Sequence, residues 1–522
     1  MSTIQDRKIT RHTAQLLFSR SQAVVLLATA LIITVCLVLW TRETLTALIA
    51  AALVFYTFFV GQKLLLHVAS KQYMPPALAP VDLDDPDLPV YTLFIPLYKE
   101  ANMLESLVRS IDGLRYPKDK LQVLLLLEQD DIETQAEALG MDLDDWYEIV
   151  VVPDLKPKGK PKALNMGLEK AVGAHSVIYD AEDRPDPDQL LKAVAAFRAS
   201  PEEVACVQAR LFFWNEDSTW ITRFYWTEYV IHFENVLPGL AKLGLVPPLG
   251  GTSNHFRTHV LRQVAISPEQ LPAGAEGIGG WDPWNVTEDA ELAGALSLYG
   301  YRVAMIDSVT REEATARLRI ADKQRRRWLK GYLQTGLMYT RQPWRTARQM
   351  GVAKWFSYNL LMLGTPVSLL LNPLFWGLTI AYFITRSPAI ESLFPAPLFY
   401  CGMVLMLAGN LLLFYQLVVA CLYRGGYGTV KFLFLTPLWW AFTSWSAYQV
   451  LWELARPSTR HKWNKTPHGH DLDKEKTNAP RRRPVKKPVA IARLAHLRTG
   501  AASRRAEIRL TAARAAPQPD GW

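Results

Sequence analysis

The sequence predicts an α/β domain, built on a mostly parallel sheet and inserted between membrane-spanning α-helices. Three observations predict it. Two long apolar runs, Ala23–Trp40 and Thr44–Leu66, precede a polar middle, and three more, Trp355–Ile384, Pro397–Leu422 and Phe432–Leu454, follow it. Between the two groups, strand-sized apolar segments alternate with helix-sized amphipathic ones, the pattern of strands wrapped by helices. Half of the residues are hydrophobic and 17 are Trp, a composition heavy for a soluble chain.

Each apolar run is long enough for the roughly 20-residue span a bilayer core demands. A cleaved secretory signal is the competing reading of the first run. The run exceeds the usual 7–15 residues or so, and a second span follows almost at once. Arg7, Lys8, Arg11 and Arg20 place the N-terminus in the cytoplasm by the positive-inside rule, and two crossings return the chain there. The polar middle, about Asp82 to Arg348, is then cytoplasmic. Five simple crossings would leave the basic tail outside. An even number is therefore expected, with Trp355–Ile384, broken by Pro366 and Pro373, supplying an interface helix before its span, and the run holding Pro437 not crossing simply.

These boundaries divide the chain into an N-terminal segment with two membrane helices (1–86), a catalytic-type domain (87–343), an interface helix with the later membrane helices (344–455) and a basic tail (456–522). The net charge of +9 belongs to that tail, which holds 17 Lys/Arg against 5 Asp/Glu. Beside a last membrane span, a polybasic segment faces anionic lipid. It lacks interleaved aromatics, which excludes nucleic acid as the expected partner. Past Arg481 its composition predicts disorder, with Ile491–Leu510 able to form a basic surface helix. Cys36, Cys206, Cys401 and Cys421 lack paired or metal-type spacing and read as small buried hydrophobes. The sequons at Asn285 and Asn464 read as incidental.

Within the middle, the strand candidates are Val90–Ile95, Leu121–Leu127, Glu148–Val152, Ser176–Tyr179 and Ala205–Val207, with a helix over Met103–Leu114. In open α/β sheets the ligand crevice lies beyond the C-terminal strand ends, so the polar residues that stop each run are the ones to weigh. The first strand stops at Pro96-Leu97-Tyr98-Lys99-Glu100, the second at Glu128-Gln129-Asp130-Asp131, and the fourth at Asp180-Ala181-Glu182-Asp183.

Asp180, Glu182 and Asp183 crowd carboxylates at one strand end. Like charges about 4 Å apart repel by roughly 4 kcal/mol at an effective dielectric of 20. A divalent cation relieves this, and an all-oxygen set suits Mg²⁺ or Mn²⁺; an ordinary acidic turn, helped by Pro185 and Pro187, is the alternative. Lys158-Gly159-Lys160-Pro161-Lys162 offers a cationic loop for phosphate oxygens, or a solvated charge run. Gly250–Arg257 is a glycine-rich polar segment that lets backbone approach a sugar. Glu288 and Asp289 either open a helix, where acids gain about 0.3–1 kcal/mol from its dipole, or supply the carboxylate that accepts a proton from an attacking hydroxyl. Gln324, Arg327 and Trp328 lie on a helix just ahead of the membrane. Arg forks onto phosphate and Trp offers a face for a sugar ring.

The order of acid cluster, lone acid pair, basic-aromatic helix and membrane resembles the processive synthases of glycosyltransferase family 2, which make cellulose, curdlan, mixed-linkage glucan, chitin and hyaluronan. Thr287-Glu288-Asp289 matches the T-E-D triplet of that family and Gln324–Trp328 its Q-x-x-R-W. The resemblance spans residues 88 to 470 or so and implies a cytoplasmic GT-A (Rossmann-like) domain. It implies that Glu100 and Asp130 contact the nucleoside; Lys162, from the cationic loop, is the residue-based candidate at the phosphates. Asp180 with Glu182 or Asp183 holds Mg²⁺ or Mn²⁺, Asp289 beside Glu288 is the base, and Gln324, Arg327 and Trp328 bind acceptor and pyrophosphate. The metal motif departs from a plain D-x-D. A gating loop of the type F-x-V-T-x-K is replaced by Trp463–Gly469, where Lys465 is the candidate that closes over bound sugar nucleotide. Arg456 and Arg460 supply half of a cyclic-dinucleotide motif whose second half is absent from the tail.

The implied activity is inverting polymerisation of a nucleotide sugar, UDP-glucose first, into a β-linked glucan (mixed-linkage, β-1,3 or β-1,4) translocated across the inner membrane. The implied partners are a UDP-sugar donor, the growing polysaccharide and membrane lipid, with cyclic-di-GMP or an accessory export protein left open. Alternatives are a GlcNAc or mannose polymer, a non-processive transferase acting on a lipid carrier, and a non-catalytic scaffold or transporter. Trp439, Trp440 and Trp445 are expected either to line a sugar path or to anchor at the membrane interface.

Overall fold

The computed structural model describes residues 11–75, 78–275, 277–463 and 465. The tail expectations for residues 466–522, and most of the 463–469 loop, lie outside them. Eight strands form one sheet: β1 (Tyr91–Leu97), β2 (Leu121–Glu128), β3 (Tyr147–Val152), β4 (His175–Ile178), β5 (Arg184–Pro185), β6 (Val204–Phe213), β7 (Asn254–Arg257) and β8 (Arg302–Glu312), in the order β3-β2-β1-β4-β7-β6-β8-β5. β1 pairs in parallel with β2 and β4, aligning Tyr91 with Leu121 and His175, and β2 pairs in parallel with β3. Edge strand β3 leaves Glu148 and Val151 exposed, but both faces of β1, β2 and β4 are covered. That is why β2 shows no apolar–polar alternation, and its Val123–Glu128 stretch is wholly buried.

The other half of the sheet departs from expectation. β7 runs antiparallel to both β4 and β6, and β5 antiparallel to β8, so the sheet is mixed. The segment Gly250–Arg257 is a turn followed by this short strand; its Asn254 and His255 are buried polar residues in mid-sheet. One core layer packs Leu164, Leu168, Leu292 and Leu296 against Phe94 and Leu124, and the opposite layer packs Leu104, Leu107, Leu190 and Val194 against Leu93 and Leu125.

Four helices are long and apolar enough to cross a membrane: Arg20–Leu39, Thr41–Ser70, Gly364–Thr385 and Ala396–Leu422. The run Trp355–Ile384 splits into Val352–Met362 and Gly364–Thr385. The last run forms Thr436–Ala455, which is not among the four and packs against helix Leu318–Tyr339. The sheet domain and the apolar helices meet without a gap at Gly239, where an added Cβ would collide with the carbonyl oxygen of Leu66.

Three expectations change here. Arg11 is not a free positive charge ahead of the first span; it is buried in the sheet domain against Glu291. Trp439 is also buried, stacked on Phe224 at 5.3 Å, so it lines no open path, while Trp445 is largely exposed on the apolar exterior. The four cysteines are unpaired, and Cys401 is exposed, not buried.

Candidate active site

The strand ends β1, β2 and β4 point at one cleft. Its floor is the turn after β4, with Asp180 and Glu182; its wall is the N-terminus of helix Glu288–Leu298; its roof is helix Leu318–Tyr339, through Gln324, Arg327 and Trp328. Residues as far apart in sequence as Asp180 and Gln324 thus share one space.

Asp289 faces the glycine turn, since a Cβ on Gly251 would sit 3.5 Å from its Oδ2. Its Oδ1 accepts the Ala290 N–H at 2.8 Å. Burial pushes its carboxyl up, offset by that N–H and by Lys160 and Arg327. Glu288 is pushed up to about 7 by burial and by the adjacent Asp289. The preceding turn is fixed by Asn285, whose side chain donates to Thr335 Oγ1 (2.8 Å) and accepts the Thr287 N–H (3.0 Å). That sequon is therefore internal scaffolding.

Gln324 is buried, and its Oε1 has no hydrogen-bond partner among the described residues. Trp328 and Tyr229 line the cleft with ring centroids 6.2 Å apart, and the buried Tyr225 meets Trp328 edge-on at 5.8 Å from behind. Arg325, between Gln324 and Arg327, points away into an ion pair with Glu228 at 2.5 Å. Glu228 also accepts the Trp439 indole N–H at 2.8 Å.

At the other end, Glu100 lines the cleft and pairs with Lys465 at 2.8 Å. Lys465 also donates to the carbonyls of Tyr98 and Lys99, so this residue of the 463–469 segment lies across the Glu100 end of the cleft. Trp463 lines the cleft too, 5.9 Å from the Arg327 guanidinium. Asp130 pairs with Lys158 at 2.5 Å, which holds its carboxyl below the usual range, and sits outside the cleft lining.

Besides Asp130, two sequence candidates land differently from expectation. Lys162 turns away: its ammonium is buried against Glu128 (2.6 Å) and the Pro153 carbonyl (2.7 Å) and does not line the cleft. Lys158 and Lys160 do line it, and Lys160 pairs with Asp180 and donates to the Gly251 carbonyl at 2.7 Å. Helix Lys160–Lys170 begins at Lys160, and two helical residues rotate a side chain by about 200°. Asp183 also faces inward, bonded to the Thr252 hydroxyl and the Asp180 N–H (2.7 Å). Glu312, at the end of β8, joins the lining without any signal in the sequence.

Among the described residues no three acidic, His or Cys side chains form a ready-made metal centre. The donor set still fits Mg²⁺ or Mn²⁺, which are commonly held by one or two carboxylates plus substrate phosphates. Asp180 and Glu182 supply those carboxylates. Glu182 is pushed up to about 7 by burial and Asp180, and Asp183 Oδ1 is buried without a partner among the described residues. A cation at Asp180 and Glu182 would offset that concentration of negative charge.

The profile of the family described as "Glycosyl transferase family group 2" matches residues 176–452. Among curated proteins, the probable glycosyltransferase YdaM of Bacillus subtilis (strain 168) is 23% identical over 291 residues, covering 54% of this chain and 65% of that protein. Glucomannan 4-beta-mannosyltransferase 1 of Oryza sativa subsp. japonica is 24% identical over 282 residues, covering 51% and 50%. The chain thus spans less than two thirds of the length of either relative. Among solved structures, the mannosyltransferase PcManGT from Pyrobaculum calidifontis, in complex with GDP-Man and Mn²⁺, aligns with a TM-score of 0.50 at 22% identity, over 78% of this chain and 99% of that one. This likeness is one of fold.

Proposed function

The chain belongs to glycosyl transferase family group 2, and from that premise we propose that it is a membrane-embedded, inverting hexosyltransferase that extends a β-linked glycan processively and passes it across the membrane. One observation carries the reading: Asp289, the acids Asp180 and Glu182, and the Gln324, Arg327 and Trp328 side chains line a single cleft beside the apolar helices. The mixed α/β fold and the glycosyltransferase family are the firm ground beneath it.

In this mechanism the donor enters with its diphosphate toward Asp180, Glu182, Lys160 and Arg327, and its nucleoside toward Glu100. A bound Mg²⁺ or Mn²⁺ would supply charge neutralisation for the diphosphate leaving group. Asp289 accepts the proton of the acceptor hydroxyl as that oxygen attacks the anomeric carbon from the face opposite the diphosphate, inverting the configuration. Glu288 shares the proton load. Trp328, with Tyr229 beside it and Tyr225 behind it, stacks on the acceptor ring, and Gln324 Oε1 is available to accept from a sugar hydroxyl. Lys465 and Trp463 close over the donor.

Four membrane crossings return the chain to its starting side and keep the sheet domain and the basic tail in the cytoplasm. UDP-glucose is the donor implied by the motif resemblance. A second reading, mannosyl transfer from GDP-mannose, is favoured by the mannosyltransferases among the relatives. Membranes carrying the chain, incubated with labelled UDP-glucose, UDP-GlcNAc and GDP-mannose, decide between them: linkage-specific hydrolases read the product. A high-molecular-weight polymer supports processivity. A single sugar extracted with lipid would replace it with transfer to a lipid carrier.

A further inference from the structure

We infer that Arg11 is a positioning residue for Asp289, and that the strap ahead of the first apolar helix holds the base helix from behind. The inference rests on the reading of Asp289 as base. Arg11 is 3% exposed and places its whole guanidinium inside the sheet domain. Nε and Nη2 fork onto Glu291 at 3.2 and 2.5 Å, and Nη1 donates to the carbonyls of Val264 (2.7 Å) and Gly280 (3.0 Å). Glu291 is fully buried and lies in the first turn of the helix that carries Glu288 and Asp289. Two helical residues separate side chains by about 200°, so Asp289 faces the cleft while Glu291 faces the strap.

The strap is held along its length. The Ala14 N–H donates to Asp282 Oδ2 at 2.6 Å, Arg341 donates to the carbonyls of Thr13 (2.8 Å) and Leu16, and Gln270 donates to the Arg11 carbonyl at 3.2 Å. Arg341 follows closely on helix Leu318–Tyr339, which carries the Gln324, Arg327 and Trp328 side chains. Gln22, in the first turn of helix Arg20–Leu39, donates to the Leu337 carbonyl at 2.7 Å. The segment that leads into the first apolar helix therefore bridges the helix of the base and the helix of the acceptor contacts. An ion pair this deep is costly to break from one side, because the remaining charge stays buried. A forked Arg–carboxylate contact also fixes direction as well as distance.

Steady-state kinetics on the detergent-purified full chain, with the donor that the unaltered enzyme turns over, test this. Arg11→Gln is expected to lower kcat about 100-fold, the scale of a misplaced reacting group, while the donor KM stays within about twofold. Arg11→Lys, which keeps charge but loses the fork, is expected to recover part of the loss. Arg11→Gln with Glu291→Gln is expected to be no worse than either alone, because both remove one contact. A kcat for Arg11→Gln within about twofold of the unaltered chain overturns the inference. So does aggregation of both Arg11 variants, which makes the residue one of folding alone. Asp289→Asn run alongside separates the two readings. If it is active, the base assignment falls; if it is inactive and Arg11→Gln is not impaired, only the strap inference falls.

Discussion

Asp289 differs from an ordinary helix-opening acid in its company. It is coupled to Glu288 and faces Lys160 and Arg327 across the cleft. The folded-state carboxyl of Glu288 lies above its ordinary value, at about 7, through burial and Asp289. A carboxyl raised on folding favours the folded state most below its unfolded pKa, and that contribution is lost as pH rises through the folded value. Catalysis by the proposed base runs the other way, since that group works ionised. The pH–rate profile is therefore expected to show an acid limb above the ordinary carboxylate range, because burial raises the Asp289 carboxyl. Glu288→Gln removes one of the two repelling charges and is expected to move that limb to lower pH. A limb that stays in place would detach Glu288 from the pair.

The metal candidates divide at the same scale. Asp180→Asn and Glu182→Gln are expected to raise the concentration of Mn²⁺ needed for half-maximal activity, read by titrating metal into chelator-stripped enzyme. Asp183→Ala is expected to act on stability instead, because Asp183 Oδ2 accepts both the Thr252 hydroxyl and the Asp180 N–H. Leaving those donors without their acceptor costs about 1–3 kcal/mol, visible as a lower midpoint of thermal unfolding. From sequence these three acids are equivalent; only the turn's geometry separates them. Lys162 and Lys160 likewise differ by helical rotation alone.

Among elements, the contact between helices Glu288–Leu298 and Leu318–Tyr339 sets the cleft. At Gly331 a Cβ would collide with Thr287 Oγ1, so the two helices approach as closely as they do because that residue lacks a side chain. Gly331→Ala is expected to destabilise the fold by about 1–3 kcal/mol, the usual cost of overpacking, and to lower kcat by displacing Thr287 and the proposed base, Asp289, after it. Unchanged unfolding and kcat would mean the helices separate freely. The strands β1, β2 and β4 are legible in sequence because buried parallel strands read as continuous apolar runs, and the half-exposed edge strand β3 through its β-branched Ile149-Val150-Val151-Val152 run. β7 is not, since Asn254-His255-Phe256-Arg257 reads as a polar loop and is a strand only because β4 and β6 flank it. β8 is 11 residues of mixed character, and Glu312 reaches the cleft only through its pairing beside β6.

For the whole molecule, hydropathy finds every apolar run but cannot tell a lipid-facing helix from one that packs on protein. Thr436–Ala455 buries Trp439, Ser446, Ala447 and Val450 against its neighbours, and Glu453 near its end pairs with Arg326 (2.5 Å) and Lys330 (2.9 Å). Those two cations stand in the motif helix, so the last helix is built to hold the motif as much as to face a membrane. The strap around Arg11 was hidden for a related reason: a basic residue ahead of an apolar helix looks like a topology signal in any sequence. With four crossings, cysteines introduced at Arg42 and Ser387 are expected to label from outside intact cells and one at Lys118 only after permeabilisation. Labelling of the Lys118 position in intact cells would place the sheet domain on the other side.

The central claim is that one carboxylate, Asp289, takes the acceptor's proton during inverting sugar transfer. Its most direct test is labelled-sugar incorporation by membranes carrying Asp289→Asn, with the amount and unfolding midpoint of the protein measured in parallel. Incorporation is expected to fall by about 100-fold or more, the scale of a lost general base, with the unfolding midpoint unchanged. Full incorporation by the Asn variant would contradict the claim.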